Sequence, residues 1–199
     1  MNGQTHLLGG LTAGLLVATL VPVSQVPWLL GAAALAGPLA DIDHPGSMYG
    51  RWLPLPGVAK VYGHIEPYTG GPFCTSSGSF GHVGRRTPFG TLWHRGPTHS
   101  LFVAMAASAL AAVAFRGMHH GEAVAIGVLA GYLSHLALDL LNVSGQQLLW
   151  PFSKRHIALR WPKMHVGSLG ETFIAMVLAA FALMLGTHFV LIARVTALR

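Results

Sequence analysis

Five apolar segments, separated by polar stretches, dominate the hydrophobic pattern of the chain. Apolar runs of this length predict α-helices, and the last two reach the roughly 20 residues that span a bilayer. The segments cover about residues 5–21, 26–40, 99–115, 122–141 and 172–193. The pattern therefore predicts an all-α bundle of about five helices.

The first two segments are short and rich in glycine and alanine, which predicts that they are tilted or buried against the other helices. Gly10 and Gly14 form a small-xxx-small pair, a spacing that lets helix backbones approach closely in lipid. The alternative is that these glycines reflect composition alone.

Two long polar regions interrupt the apolar pattern, at residues 41–98 and 142–170. The part at about 65–92 is dense in glycine, serine and proline and predicts an irregular loop. We find neither an internal repeat nor a heptad pattern. The sequence therefore predicts one membrane-embedded domain over residues 1–199, with the loop at about 65–92 as an insert.

Composition supports a membrane protein. Hydrophobic residues make up 52% of the chain and charged residues only 9%, whereas soluble domains carry about 25% charged residues. The mean hydropathy is +0.54. The formal net charge of +6 raises nucleic-acid binding as an alternative, but basic residues between apolar segments are better explained by membrane topology. We therefore expect the lipid bilayer, and no nucleic acid, as partner.

The basic residues are distributed unevenly between the two predicted membrane faces. With five spans, the N-terminus and both polar regions lie on one face. Most of the 12 lysines and arginines are on that face, namely Arg51, Lys60, Arg85, Arg86, Arg95, Lys154, Arg155, Arg160 and Lys163. Because positive residues favour the cytoplasmic side, the sequence predicts that this face is cytoplasmic.

Side chains that bind metals gather at the cytoplasmic ends of all five predicted helices. The set consists of His6, Asp41, Asp43, His44, His94, His99, His135, Asp139 and Glu171. Four of the six acidic residues of the chain belong to it. Ionisable residues are costly next to lipid, so their presence there indicates function. The alternative is a polar structural cluster, or an ion or proton pathway.

The spacing within this set suggests which residues act together. His135 and Asp139 are four apart and share a helix face, with Asn142 further along the same stripe, so they can hold one metal between them. A buried hydrogen-bonded His–Asp pair is the alternative. Asp41 and Asp43 would repel each other without a cation nearby, although a solvated helix end also explains them.

The stretch "HRGPTHS" (94–100) begins the third helix. Pro97 suits a first helical turn, and Thr98 or Ser100 can cap it. Arg95 and the free amides of the helix start together form an anion site suited to phosphate. The alternative is an ordinary helix start with incidental histidines.

Histidine and carboxylate ligands without a thiolate suit zinc, manganese or iron, and the number of candidate ligands allows more than one ion. Two neighbouring ions would activate water and stabilise a phosphoester in its transition state. We expect a divalent cation as cofactor, with zinc favoured.

Several motifs together resemble the membrane-bound metal-dependent hydrolases of the YdjM type, LexA-regulated inner-membrane proteins of some bacteria. These motifs are "THLLGG", "PLADIDHPGS", "HRGPTHSL" and "GYLSHLALDLLNVSGQQLLWPF", followed by Glu171. The family is more distantly similar to zinc-dependent phospholipase C and the single-strand nucleases of that fold. The loop at about 65–92 is longer than usual for the family.

By position, the resemblance implies that His135 and Asp139 are the His-x-x-x-Asp metal ligands. It also implies a ligand role for His6, for an aspartate of "DIDH", for a histidine of "HRGPTHS" and for Glu171. The expected location is the bacterial inner membrane, with the active site facing the cytoplasm.

The expected function is metal-dependent hydrolysis of a phosphoester, such as a phospholipid, through activated water. Asp41 or Asp43 would orient the water or accept its proton, and Arg95 would hold the phosphate. One alternative is a metal-binding membrane protein or transporter without chemistry; a transporter needs a polar path to the opposite face. Another is a nuclease, which needs a basic groove with stacking aromatic residues.

Overall fold

The computed structural model describes residues 1–43, 47–50, 95–142, 145–159 and 165–197. These ranges contain five α-helices and no strand beyond an isolated bridge between Gln146 and Ile157. The prediction of an all-α bundle of about five helices is confirmed. The helices are α1 (Gly3–Leu16), α2 (Val26–Ala36), α3 (Leu101–Ala114), α4 (Gly121–Asp139) and α5 (Leu169–Ala197).

Three helical segments are long and apolar enough to cross a membrane: Val23–Asp43, Gly121–Asp139 and Leu169–Leu191. The first includes α2 and the short 3₁₀ turns on either side of it. Helix α3 is apolar but has 14 residues, so it extends only about 21 Å. Most of the third segment is exposed on the bundle, as expected of a helix that faces lipid.

Helices α1, α2 and α4 meet at Ala33 of α2, where glycines allow close backbone contact. A methyl group at Gly10 of α1 would lie 2.2 Å from the Ala33 carbonyl oxygen, and one at Gly131 of α4 would lie 2.1 Å from it. At Gly14 it would lie 2.9 Å from Ala33 Cβ. The small-residue pair of α1 is therefore part of the helix packing, and this packing sets the distance between the three helix ends that carry polar side chains.

The loop after α4 supports the same end of the bundle. Gln146 is fully buried, and its Nε2 donates to the Leu136 carbonyl oxygen at 2.6 Å. The next amide, that of Gln147, donates to the Arg95 carbonyl oxygen at 3.2 Å, and Leu101 N donates to Leu148 O at 3.0 Å. These bonds fix the chain that enters α3 against the end of α4.

Candidate metal centre

Four buried ligand side chains come together from three parts of the chain. Asp41 lies in the 3₁₀ turn Leu39–Asp43 that follows α2, and His99 lies in the turn Pro97–His99 that precedes α3. His135 and Asp139 are in the last two turns of α4. One ligand atom from each of these residues lies within 4.8 Å of all the others. We call Asp41, His99, His135 and Asp139 the four-ligand group.

The distances within the four-ligand group match the space around one ion. His99 Nε2 lies 3.1 Å from Asp41 Oδ1, 3.2 Å from His135 Nε2 and 3.6 Å from Asp139 Oδ2. His135 Nε2 lies 3.6 Å from Asp41 Oδ1 and 3.7 Å from Asp139 Oδ2. Metal–ligand bonds of about 2.0–2.1 Å in a tetrahedron place neighbouring ligand atoms about 3.3 Å apart. The group therefore fits a single zinc-sized cation.

The hydrogen bond made by His135 Nδ1 indicates which ring nitrogen is protonated. Nδ1 lies 2.7 Å from the Gly37 carbonyl oxygen. A carbonyl only accepts, so Nδ1 carries the proton and Nε2 presents its lone pair to the four-ligand group. Position 37 needs glycine for a separate reason, because a methyl group there would lie 2.2 Å from the His6 carbonyl oxygen. The hydrogen bond from Nδ1 to the Gly37 carbonyl is the usual outer-shell support of a metal-binding histidine.

His99 is oriented in the same way through Thr98. The Thr98 hydroxyl donates to Asp43 Oδ2 at 2.9 Å and lies 3.0 Å from His99 Nδ1. The hydroxyl has one proton, so it accepts from His99 Nδ1 while it donates to Asp43. In the ring that carries its single proton on Nδ1, Nε2 of His99 presents a lone pair 3.2 Å from that of His135, and the same Nε2 lies 3.1 Å from Asp41 Oδ1. Two lone pairs facing each other at this distance, beside two carboxylates, favour a cation between them.

Thr98→Val should weaken zinc binding by about 10- to 100-fold, the usual effect of removing outer-shell support. Valine keeps the shape of threonine but has no oxygen to accept the hydrogen bond from His99 Nδ1 that orients the ring. The measurement is competition for zinc with a chelator of known affinity. Thr98→Ser should retain most of the affinity, because the hydroxyl remains. Equal affinity in the valine and serine variants would contradict this role for Thr98.

Arg95 lies directly beside the four-ligand group. Its side chain is buried, and its Nε lies 3.3 Å from Asp139 Oδ2. Its φ of 71° is uncommon for a residue other than glycine, and such strain clusters at functional sites. The sequence predicts Arg95 in an anion site, and in the structure its positive charge lies next to the four-ligand group.

Two of the amides at the start of α3, those of Leu101 and Val103, are not free, contrary to the expectation. Ser100 caps this helix, with its Oγ accepting from Val103 N at 3.2 Å, while Leu101 N donates to Leu148 O. These amides are already used within the fold, because the loop after α4 packs against the helix start. Of the two predicted capping residues, Ser100 performs this function and Thr98 instead supports His99.

His6 adjoins the four-ligand group without belonging to it. It is fully buried near the start of α1, and its ring stacks on that of His135, with 3.7 Å between centroids. Its Nε2 lies 3.4 Å from Asp139 Oδ1 and 3.9 Å from Asp41 Oδ2. These are the carboxylate oxygens that point away from His99.

Two other predicted ligands lie outside the four-ligand group. Asp43 is linked to the group through Thr98. Glu171 accepts hydrogen bonds from Asn2 N, from Thr5 Oγ1 at 3.1 Å and from Gly167 N at 2.6 Å. Glu171 therefore joins α5 to the start of α1.

His44 and His94 lie outside the described residues, so their predicted roles as ligands stay predictions. The loop at about 65–92 lies outside them as well.

Sequence reasoning missed two supporting residues, Gly37 and Tyr132. Tyr132 lies three residues before His135 on α4, and its hydroxyl donates to the Thr98 carbonyl oxygen at 2.7 Å. Its position one turn before the His–Asp pair was the available signal. Asn142, which the sequence placed on the same stripe, donates from Nδ2 to Asp139 Oδ1 at 2.8 Å.

Comparison with known proteins finds one family and several relatives. The model of a family described as YdjM inner membrane protein matches residues 1–197. The inner membrane proteins YdjM of Escherichia coli K12 and of Shigella flexneri are each 30% identical to this chain, over 89% of it and 79% of their own length. The uncharacterized protein YvsG of Bacillus subtilis is 27% identical, over 87% of each chain. No solved structure matches the chain significantly.

Proposed function

Since this chain belongs to the YdjM family of inner membrane proteins, we propose that it is a membrane-embedded, metal-dependent hydrolase of phosphoesters. The observation that carries the proposal is the four-ligand group, in which two histidine nitrogens and two carboxylates surround the space for one cation. Two histidines and two carboxylates suit zinc, with manganese and iron as alternatives. The relatives' names support an inner-membrane location and do not bear on the chemistry.

A divalent cation bound by the group would polarise a phosphoester oxygen and activate water for attack. The residues of the chain have separate tasks around it. Asp41 would hold the cation together with the other ligands of the group, and Asp43 positions His99 through Thr98. The expectation that Asp41 or Asp43 orients the water or accepts its proton stays a prediction. Arg95, beside Asp139, supplies positive charge for the phosphate.

We propose that the site faces the cytoplasm and acts on a lipid phosphoester. The side follows from the excess of lysine and arginine in the two polar regions. The substrate class follows from position, because the four-ligand group lies where α2 and α4 end and α3 begins. The ends of membrane-spanning helices lie near the lipid headgroups, so this position supports a lipid phosphoester as the substrate.

Replacing Arg95 tests the phosphoester hypothesis. Arg95→Lys should keep the metal content near wild type, because a positive charge remains beside Asp139, and should lower turnover about 10- to 100-fold. Lysine lacks the planar fork that binds phosphate through two hydrogen bonds. Arg95→Ala should lower turnover further. The measurement is hydrolysis of a phospholipid and of a generic phosphodiester, with zinc quantified in each variant.

Arg116→Lys provides the control for this experiment, since Arg116 is exposed beyond the end of α3, and it should behave as wild type. Unchanged turnover in Arg95→Ala, or a loss that follows lost metal, would remove Arg95 from the substrate site. Bound zinc without hydrolysis of either substrate would favour a non-enzymatic metal-binding protein. Cleavage of single-stranded DNA instead of lipid would favour a nuclease. A transporter needs a polar path to the opposite face of the membrane. Helix α2 argues against this function, because it carries no charged or amide side chain over Val26–Ala36.

A further inference from the structure

We propose that the centre holds a second divalent cation, between His6 and the outward oxygens of Asp41 and Asp139. The two carboxylates would then bridge two ions, and His6 would be a ligand of the second ion alone. The inference extends the proposed function, but it concerns the number of ions and is tested without measuring turnover.

The division of the carboxylate oxygens supports the proposal. Asp41 Oδ1 and Asp139 Oδ2 face His99 and His135, at 3.1–3.7 Å. The opposite oxygens, Asp41 Oδ2 and Asp139 Oδ1, are the ones nearest His6 Nε2, at 3.9 and 3.4 Å. Each carboxylate thus presents one oxygen to each side. Carboxylates that present one oxygen to each side can bridge two ions, and paired ions about 3.5–4 Å apart stabilise a phosphoester displacement.

His6 itself is the second, independent observation. Its side chain is fully buried, and neither ring nitrogen makes a hydrogen bond of good geometry in the part of the chain that the structure describes. Nε2 instead has long contacts with Asp139 Oδ1 and Asp41 Oδ2. Buried polar atoms are nearly always paired, and an exception indicates a bound ion or water. Stacking on the His135 ring holds the His6 ring in place, with Nε2 towards the two carboxylates. A cation at this position would pair the buried nitrogen.

Other groups already contact one oxygen of the proposed second site. Asp139 Oδ1 accepts from Asn142 Nδ2 at 2.8 Å and from the amino nitrogen of Met1 at 3.0 Å. The Met1 nitrogen would compete with an ion bound at this oxygen. We therefore expect the second site to be weaker than the four-ligand group.

The test counts zinc in the full-length protein purified in detergent and equilibrated with excess zinc. Wild type should bind two ions per chain, one weaker than the other, and His6→Phe should bind one with unchanged affinity at the tighter site. Phenylalanine keeps a ring against His135 and removes both nitrogens. His6→Asn is a second variant in case the larger ring is not accommodated. His188→Ala, at an exposed position of α5, should bind two ions.

Manganese gives an independent readout. Two manganese ions bridged by carboxylates interact magnetically, so wild type should give a spin-coupled paramagnetic resonance spectrum and His6→Phe the spectrum of isolated ions. One ion in both proteins would overturn the second site and leave a single-ion hydrolase intact. Loss of both ions in each His6 variant would also overturn it, because His6 would then support the four-ligand group. Absence of zinc from wild type would remove the second site and the proposed function together.

Discussion

Replacing His135 or Asp139 with alanine should reduce zinc at the four-ligand group to the background level in the detergent-purified protein. Each change removes one of the four ligand atoms that lie within 4.8 Å of one another. Loss of outer-shell support alone lowers metal affinity about 10- to 100-fold, so loss of a ligand should exceed that. The measurement is metal analysis of the purified variants, with zinc affinity obtained by competition.

The control is His188→Ala, on the exposed surface of α5, which should retain the wild-type zinc content. Folding has to be monitored separately, because Asp139 also lies next to the buried Arg95, and a buried charge left without its partner is strongly destabilising. Asp139→Asn keeps the volume and serves as the milder change. Equal zinc in all variants would mean that the His–Asp pair is structural.

The helical architecture was predictable because apolar segments long enough for membrane helices are visible in sequence. Their ends were less predictable. The first segment was expected to reach residue 21, whereas α1 ends at Leu16 and a 3₁₀ turn follows at Ala18–Leu20. The residues stay apolar from the end of α1 through this turn, so hydrophobicity does not indicate where the helix ends. The last helix begins earlier than expected, at Leu169.

The candidate site was partly predictable, and the two aspartates show where the prediction stopped. The sequence could not show which of Asp41 and Asp43 joins the four-ligand group, because the directions of their side chains depend on the local backbone. In the 3₁₀ turn Leu39–Asp43, three residues complete one turn, so positions two apart point in different directions. Asp41 enters the four-ligand group and Asp43 points to Thr98.

The helix spacing of His135 and Asp139, by contrast, is fixed locally and was readable from sequence. Membership in the YdjM family, expected from the motifs, is shown by the match over residues 1–197. The more distant likeness to zinc-dependent phospholipase C stays a prediction. Long-range contacts, such as that of Glu171 with Thr5, required the folded chain.

Cys74 should be protected from a membrane-impermeant thiol reagent in intact cells and fully labelled once the membrane is made permeable. The physical reason is the concentration of lysine and arginine in residues 41–98 and 142–170, which favours the cytoplasmic side for both regions. Cys74 is the single cysteine of the chain and lies outside the described residues.

For the control, cysteine replaces the exposed His119, between α3 and α4, in a Cys74→Ser background. That cysteine is predicted to face the opposite side and should be labelled in intact cells. Labelling of Cys74 from outside, with protection at position 119, would reverse the topology and place the four-ligand group at the outer face, where cytoplasmic substrates do not reach it.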